Sequence, residues 1–515
     1  EMCIRDRIFL APHGMEQFHL EIQNLYAALA QPTEKLTVSY PVSDGKGAEK
    51  RPSFVIGRIA RLLPSISVET ESADKEYRLS AKSTALEYAG EHIGGALWQY
   101  FEGQGDAERA LAAMKDASRY TRGHLSRDAV HALYGGAVTL SASRMDMARS
   151  CHFAYFMRYG LKARERTGAG FDAPQIGTFV HDVMEHTLRQ AKECGGLHTL
   201  SKDKLHALVR ASIEEYIDRV LPDLSEKSAR FRYLFNRLCA TVERIMDEVS
   251  EELQSSDFEP LAFELEFGAD GQLPAITIRE ENGTARVVGK VDRVDGWLHD
   301  GKLYLRVVDY KTGKKSFDLA ELRYGLGLQM LLYLFTLKEE GQMLFGGHEI
   351  VPAGVLYTPA REPMLRCARD TEPEKIEKAL KKELRRSGMV LEDPAVLQAM
   401  EHSAIESPCY LPIAVKRDGA VTGSLASAEQ LGKLSKYVDH ILHEITQEVF
   451  AGNIDADPYA RTPQQSACTY CEFASACHFE NGCGSDRMEY IKATKNDEFW
   501  QYIDEVNGEG AHENG

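Results

Sequence analysis

The chain has 515 residues, 43% of them hydrophobic, which is enough for a sizeable core and for roughly three domains. A formal net charge of −17 argues against a protein that simply coats nucleic acid, although a local basic channel can sit within an acidic exterior. No run of eighteen apolar residues occurs, so no membrane span is expected, and the charged opening Glu1–Arg7 does not read as a signal peptide.

The chain opens on Glu1, so a true start upstream is expected and its first stretch carries no weight here. Residues 16–40 read as a helix ended by Pro32, then an alternating strand, Lys35–Tyr40. A polar loop spans Pro41 to Pro52, and residues 53–63 and 84–121 are predicted helical. The segment 122–140 looks irregular, and a domain boundary is placed near 136. A helix over 143–162 carries Cys151, Phe153, Tyr155 and Phe156. The next, over 175–192, repeats Ile176, Val180, Val183 and Met184 at helical spacing. Two long amphipathic helices fill 201–255. Leu261–Phe267 alternates strictly and reads as a half-buried strand. Residues 285–292 and 303–310 form two more strands, the second entered through a turn at Asp300-Gly301. A helix over 327–338, a strand over 353–358 and helices over 373–386 and 427–451 follow. Residues 485–515 are polar and are expected to fray.

The chemistry centres on Val308-Asp309-Tyr310-Lys311. Side chains two apart on a strand share a face, so Asp309 and Lys311 leave the sheet together beside Leu303, Leu305 and Val307. A carboxylate there can hold Mg2+, and the lysine can orient water and offset phosphate charge. Alone, the pair also reads as a strand-end acid and a surface lysine. Gly289-Lys290-Val291-Asp292 places a second carboxylate at the end of the neighbouring strand, and a hairpin can bring Asp292 to Asp309. His181, on the 175–192 helix, is a candidate metal ligand. Its neighbours Glu185 and His186 do not make a zinc-protease motif, because positions five apart diverge by about 140° around a helix. Gln329 and Tyr333 share one helix face and can reach the phosphate or the lysine. Basic side chains gather at Arg158, Lys162, Arg164 and Arg166, and at Lys311, Lys314 and Lys315; either group can equally be a solvated face.

Ten cysteines are ordinary in number and are not spaced as a small secreted disulfide framework. Cys3, Cys194, Cys239, Cys367 and Cys409 stand singly. Cys468, Cys471 and Cys477 form C-x2-C-x5-C, and Cys151 stands 317 positions before Cys468. Four thiolates suit either zinc or an iron–sulfur cluster. Cys483 is left out of this set.

Gly177 to His181, Gly289 to Asp292, Asp309 to Lys311 and Gln329 to Tyr333 together resemble, in order, the motifs of the RecB-type PD-(D/E)XK nucleases. The resemblance implies an α/β fold: a mixed-sheet nuclease core flanked by helices. It also implies a Mg2+ site, with Mn2+ as a substitute, at His181, Asp292 and Asp309. Lys311 would serve the water, with Gln329 and Tyr333 in support. The lone upstream cysteine and the distant trio are similar to those of the AddB-type iron–sulfur nucleases. This implies a [4Fe–4S] cluster on Cys151, Cys468, Cys471 and Cys477 that pins the two ends of the domain. The stretch Leu140–Arg144 through Cys151–Phe156 resembles the AddB lead-in to the domain. His152 stands there in place of the usual proline, with little effect expected.

Tyr26–Ala30 and Lys35–Tyr40 resemble the tail of a degenerate superfamily-1 helicase core, with Gln31-Pro32 near the place of the final motif's arginine. No G-x-x-x-x-G-K-[ST] loop occurs, so no ATPase activity is expected. The implied layout is a helicase-like remnant over 1–135, a nuclease domain over 136–484 and a tail over 485–515. The implied activity is metal-dependent exonucleolytic hydrolysis of DNA, of the 5′-ended strand, in double-strand break processing. The implied setting is the cytoplasm, beside an AddA-like helicase–nuclease subunit. A stand-alone RecB-like or CRISPR-associated iron–sulfur nuclease and a non-catalytic DNA-binding scaffold remain as alternatives.

Overall fold

The structure, a computed structural model, describes residues 14–42, 49–66, 68, 78–119, 121–164, 173–268, 271–313, 315–368, 371–462 and 464–513. Among the described residues no helix is long and apolar enough to cross a membrane. The chain divides into two compact units, Glu1–Lys115 and Asp116–Gly515. The boundary thus falls ahead of position 136. Residues after 115 go with the second unit because Arg122 ion-pairs with Asp486 at 2.8 Å and the Leu125 amide donates to the Gly452 carbonyl at 2.8 Å.

The described part of the first unit is helical: Gly14–Ala30, Phe54–Leu62, Lys82–Glu91, Ala96–Phe101 and Asp106–Ser118. Lys35–Tyr40 is not a strand there. It alternates, but strand hydrogen bonds need a second strand, and none pairs with it among the described residues. The helix expected over 84–121 breaks into three, at Gly94, Gly103 and Gly105, all with positive φ. Ala85, Ala89, Trp98, Phe101, Ala107 and Leu111 pack into a small core.

In the second unit, helix Arg127–Tyr134 and strand Ala137–Leu140 occupy the stretch expected to be irregular. That strand pairs in parallel with Gly283–Val287, which pairs antiparallel with Ile276–Glu280. The main elements follow in chain order. Helix α1 is Ala142–Ser150, α2 Ala173–Glu193, α3 Lys202–Val220 and α4 Ala229–Gln254. Strand β1 is Glu259–Phe267, β2 Gly289–His299 and β3 Lys302–Lys311; helix α5 is Gln329–Glu340; strand β4 is Glu349–Pro359, β5 Ser387–Leu391 and β6 Leu425–Ala426; helices α6, Ala428–Phe450, and α7, Asn496–Glu513, close the chain.

The six strands form one mixed sheet in the order β6-β5-β4-β3-β2-β1. Pairing is antiparallel except for β3 with β4 and β5 with β6. Both faces of β3 are covered, and every residue from Leu305 to Tyr310 is buried. The β2–β3 hairpin turns through Asp300 (φ 49°) and Gly301 (φ 78°), the left-handed pair that matches strand twist. The strand expected over 285–292 is split. Val288 donates to the Leu140 carbonyl at 2.9 Å, and Gly289 starts β2. At Gly289 a Cβ would lie 2.5 Å from the Phe267 ring and 2.6 Å from Tyr333 Cε1, so only glycine lets α5 approach the sheet here.

Helix α2 buries Phe179, Val180, Val183, Met184, Leu188 and Ala191 along one face. Helix α5 is buried from Met330 to Leu337, between the sheet and α6. Ser427 starts α6 with a capping box to Gln430. The C-terminal segment does not read out as a fraying tail. Helix α7 packs on α6 through fully buried Phe499 and Ile503, with Lys433 paired to Asp504 at 2.8 Å.

Candidate active site and cysteine cavity

Three carboxylates stand in a row across β1, β2 and β3. Phe263 pairs with Arg293 and Leu265 with Val291, which sets Glu264 opposite Asp292. Arg293 pairs with Val308, which sets Asp292 beside Asp309. Asp292 lies near the start of β2, next to the end of β3, rather than at a strand end of its own.

Helix α2 carries His181 over this row. Its Nδ1 lies 3.3 Å from Asp292 Oδ2, and its Nε2 lies 2.9 Å from the Tyr310 carbonyl oxygen. The Tyr310 amide donates to Asp292 Oδ2 at 2.9 Å. Lys311 Nζ is 2.7 Å from Asp309 Oδ2 and 5.8 Å from the centre of the Tyr357 ring. Gln329 Nε2 donates to Asp309 Oδ1 at 3.3 Å and to the Tyr333 hydroxyl at 3.2 Å. Gln329 therefore reaches the carboxylate and its own helix neighbour rather than the lysine. The structure thus brings together His181, Asp292, Asp309, Lys311, Gln329 and Tyr333. Lys314 and Arg166, from the two basic groups, lie outside the described residues.

Glu264 joins the site without a sequence signal. His181, Glu264 and Asp292 offer ligand atoms that all lie within 4.8 Å of one another. Asp309 is not in that trio; it stands next in the row, engaged by Lys311 and Gln329. Glu264 has φ 48°, a left-handed conformation inside a strand, which costs on the order of 1–3 kcal/mol and persists where surroundings enforce it. Its carboxylate pairs with Lys290 Nζ at 2.7 Å.

The electrostatics are those of a crowded acidic site. Burial, then the charge of Asp292, pushes the Asp309 carboxyl well above the usual carboxylate range, against the pull of Lys311 and His181. Burial, then Asp292, likewise raises Glu264. Burial pulls the His181 imidazole down, but the hydrogen bond and charge of Asp292, with Asp309 and the Tyr310 carbonyl, outweigh it and hold it up at about 9. An imidazole, several carboxylates and a backbone carbonyl around one point make a donor set that suits a hard divalent cation such as Mg2+ or Mn2+.

On the sheet's opposite side, Arg293 Nη1 donates to the Tyr310 hydroxyl at 2.7 Å. The Tyr310 backbone touches the site while its side chain is held in a buried charged layer of Arg293, Asp295, Arg306, Glu252 and Arg386.

Cys151, Cys468, Cys471 and Cys477 line one cavity of about 350 Å³, walled by Phe153, Phe473 and Phe479 among others; Cys483 is not in the lining. Helix α1 stops at Cys151, whose φ of −175° is extended, and the chain turns helical again at His152. Burial pushes the Cys151 thiol up to about 12. Four convergent thiols between aromatic walls fit a thiolate-bound metal centre, whose cation would supply the charge that ionises them.

His152 does more than fill a proline's place. Its amide donates to Asp457 Oδ1 at 3.0 Å, its Nδ1 lies 2.6 Å from Asp457 Oδ2, and its Nε2 lies 3.0 Å from Glu448 Oε2. Proline would lose all three bonds.

A mixed sheet with an acid–x–lysine strand end, crossed by a histidine-bearing helix, is the build of a metal-dependent phosphodiesterase. The sequence model of the PD-(D/E)XK nuclease superfamily matches residues 139–478, and the chain belongs to that superfamily. Curated relatives, each named as the AddB-type polypeptide of an ATP-dependent helicase/deoxyribonuclease, align along nearly the whole chain. The protein of Ruminiclostridium cellulolyticum is 29% identical over 94% of this chain and 44% of its own length. That of Clostridium botulinum strain Hall is 30% identical over 97% and 46%. That of Caldanaerobacter subterraneus subsp. tengcongensis is 30% identical over 95% and 44%. The chain thus spans under half the length of the curated relatives it matches.

Proposed function

We propose that this chain is the nuclease-bearing part of an AddB-like subunit that hydrolyses DNA phosphodiesters exonucleolytically. The carrying observation is the row of Glu264, Asp292 and Asp309 under His181, with Lys311 at its rim. His181, Glu264, Asp292, Asp309 and the Tyr310 carbonyl would hold Mg2+, with Mn2+ as a substitute. Such a cation supplies Lewis acidity and a more acidic bound water. Lys311 orients the attacking water and offsets phosphate charge. Gln329 holds Asp309 in register, and Tyr333 holds Gln329.

The substrate is an end of DNA, with the 5′-ended strand as the one degraded, in double-strand break processing for recombinational repair. The names of the relatives support this reading, with an AddA-like partner supplying ATP-driven unwinding. This chain itself hydrolyses no ATP. The four-cysteine cavity holds a [4Fe–4S] cluster. Among the described residues no three of its sulfurs lie within 4.8 Å of one another, whereas a tetrahedral zinc site sets sulfurs about 3.8 Å apart, from a Zn–S bond of about 2.3 Å.

The test uses Asp309→Ala and Lys311→Ala, with the partner's own nuclease disabled. Mg2+-dependent degradation of end-labelled DNA should fall by orders of magnitude while DNA binding and iron content hold, since binding rests on dispersed phosphate contacts. Cutting at close to the parent rate by either variant would remove the assignment.

A further inference from the structure

Arg122 lies well upstream of the cysteine motifs, yet its side chain is only 10% exposed. Its Nε and Nη2 hold Asp486 at 2.8 and 2.9 Å. The same Nη2 donates to the carbonyl oxygen of Cys477 at 2.8 Å. Its guanidinium lies over the Phe153 ring, 4.5 Å from the centre, two residues after Cys151. Its backbone amide donates to Ser485 Oγ at 3.3 Å. One side chain therefore touches the Cys151 arm, the Cys477 peptide and the loop that follows.

We infer that Arg122 is a positioning residue of the four-cysteine site: it fixes the Cys477 peptide and places a buried positive charge beside the cavity. This rests on the reading of the cavity as a cluster site. A [4Fe–4S]2+ core with four thiolates carries a net charge of about −2, and its potential responds to nearby charge, hydrogen bonds and burial. Two acids near the cavity, Asp457 and Glu472, are already engaged by His152 and Arg158. Arg122 is the cation that bonds directly to a ligand-bearing peptide. Partners of this outer kind typically change metal retention without touching the metal.

The test uses the full chain with its partner subunit, purified without oxygen. Iron and sulfide in the parent protein are measured first; their absence would end the cluster reading itself, before Arg122 is tested. In a loaded parent, Arg122→Gln is expected to lose its cluster in air roughly 10- to 100-fold faster. Its reduction potential should also move to more negative values. Arg122→Lys keeps the charge but not the fork and should fall between. Asp486→Asn leaves the charge in place and should keep the parent potential. The inference is overturned if Arg122→Gln retains cluster and potential like the parent. It is overturned equally if Asp486→Asn matches Arg122→Gln in both, because Arg122 would then be only a strut.

Discussion

Glu264 and Asp309 are both acids on strands of one sheet, but only one was legible in the sequence. Asp309 announces itself through Lys311 two positions on, and Asp292 through the glycine-bounded run before it. Glu264 sits in a strictly alternating strand, where Leu261–Phe267 reads it as a solvent-facing residue. Its place opposite Asp292 depends on the β1–β2 register, which no local pattern encodes. The left-handed φ of Glu264 marks it only once the backbone is seen. Glu264→Gln keeps size and removes charge. It should weaken Mn2+ binding, read by calorimetry, by about one to two orders of magnitude, as loss of a ligand or its support does elsewhere. Unchanged affinity would return Glu264 to the role of Lys290's surface partner. Tyr310→Phe tests the opposite face. It removes the Arg293 bond but no ligand, so Mn2+ affinity should fall less than in Glu264→Gln, with the melting temperature near that of the parent.

At the scale of elements, helices and strands were mostly readable from periodicity, and the failures have physical causes. The helix expected over 143–162 stops at Cys151 because cavity geometry, not propensity, sets that backbone. The tail over 485–515 looked polar because its apolar residues, Phe499, Trp500 and Ile503, span barely one turn. Yet Phe499 and Ile503 are fully buried against the rest of the unit. Phe499→Ala should therefore cost about 3–5 kcal/mol, measured by denaturant unfolding. A change within a few tenths would show that α7 is not part of the core. A second element-scale brace joins α4 to β3 and β5. Glu252 accepts from Arg386 Nη2 at 2.6 Å and faces Arg306 at 3.6 Å, all nearly solvent-free. Burial opposes the charge on Glu252, but the three arginines win and depress its carboxyl to about 2. A depressed acid stabilises above its unfolded value, near 4.5, and loses that contribution as pH falls toward about 2. Glu252→Gln should cost about 3–5 kcal/mol at neutral pH, because it leaves buried arginine charge uncompensated. The gap from the parent should close in acid.

For the whole molecule, the sequence placed the cysteine staple but not the clasps around it. A cross-link over so long a loop is worth about 5–6 kcal/mol in the chain-entropy picture, on the assumption that nothing else joins the ends. The structure holds them by other means as well. Arg158 grips Glu472 at 2.8 and 2.9 Å, His152 grips Asp457, and the Phe153 amide donates to the Asp455 carbonyl at 2.9 Å. None of these follows from local pattern, since each joins residues about three hundred positions apart. Two outcomes follow for a cluster-free protein made by Cys468→Ser. The second unit should stay folded with native far-ultraviolet dichroism, and its loss of stability should fall short of the full entropic figure. Protease sensitivity should rise in residues 458–479 alone. Adding Asp457→Asn to that variant removes the histidine's main partner and should open the domain, extending cleavage to the 142–160 arm. If Cys468→Ser by itself unfolded the whole second unit, the cluster would be the sole closure of the loop and the protein clasps would carry no weight.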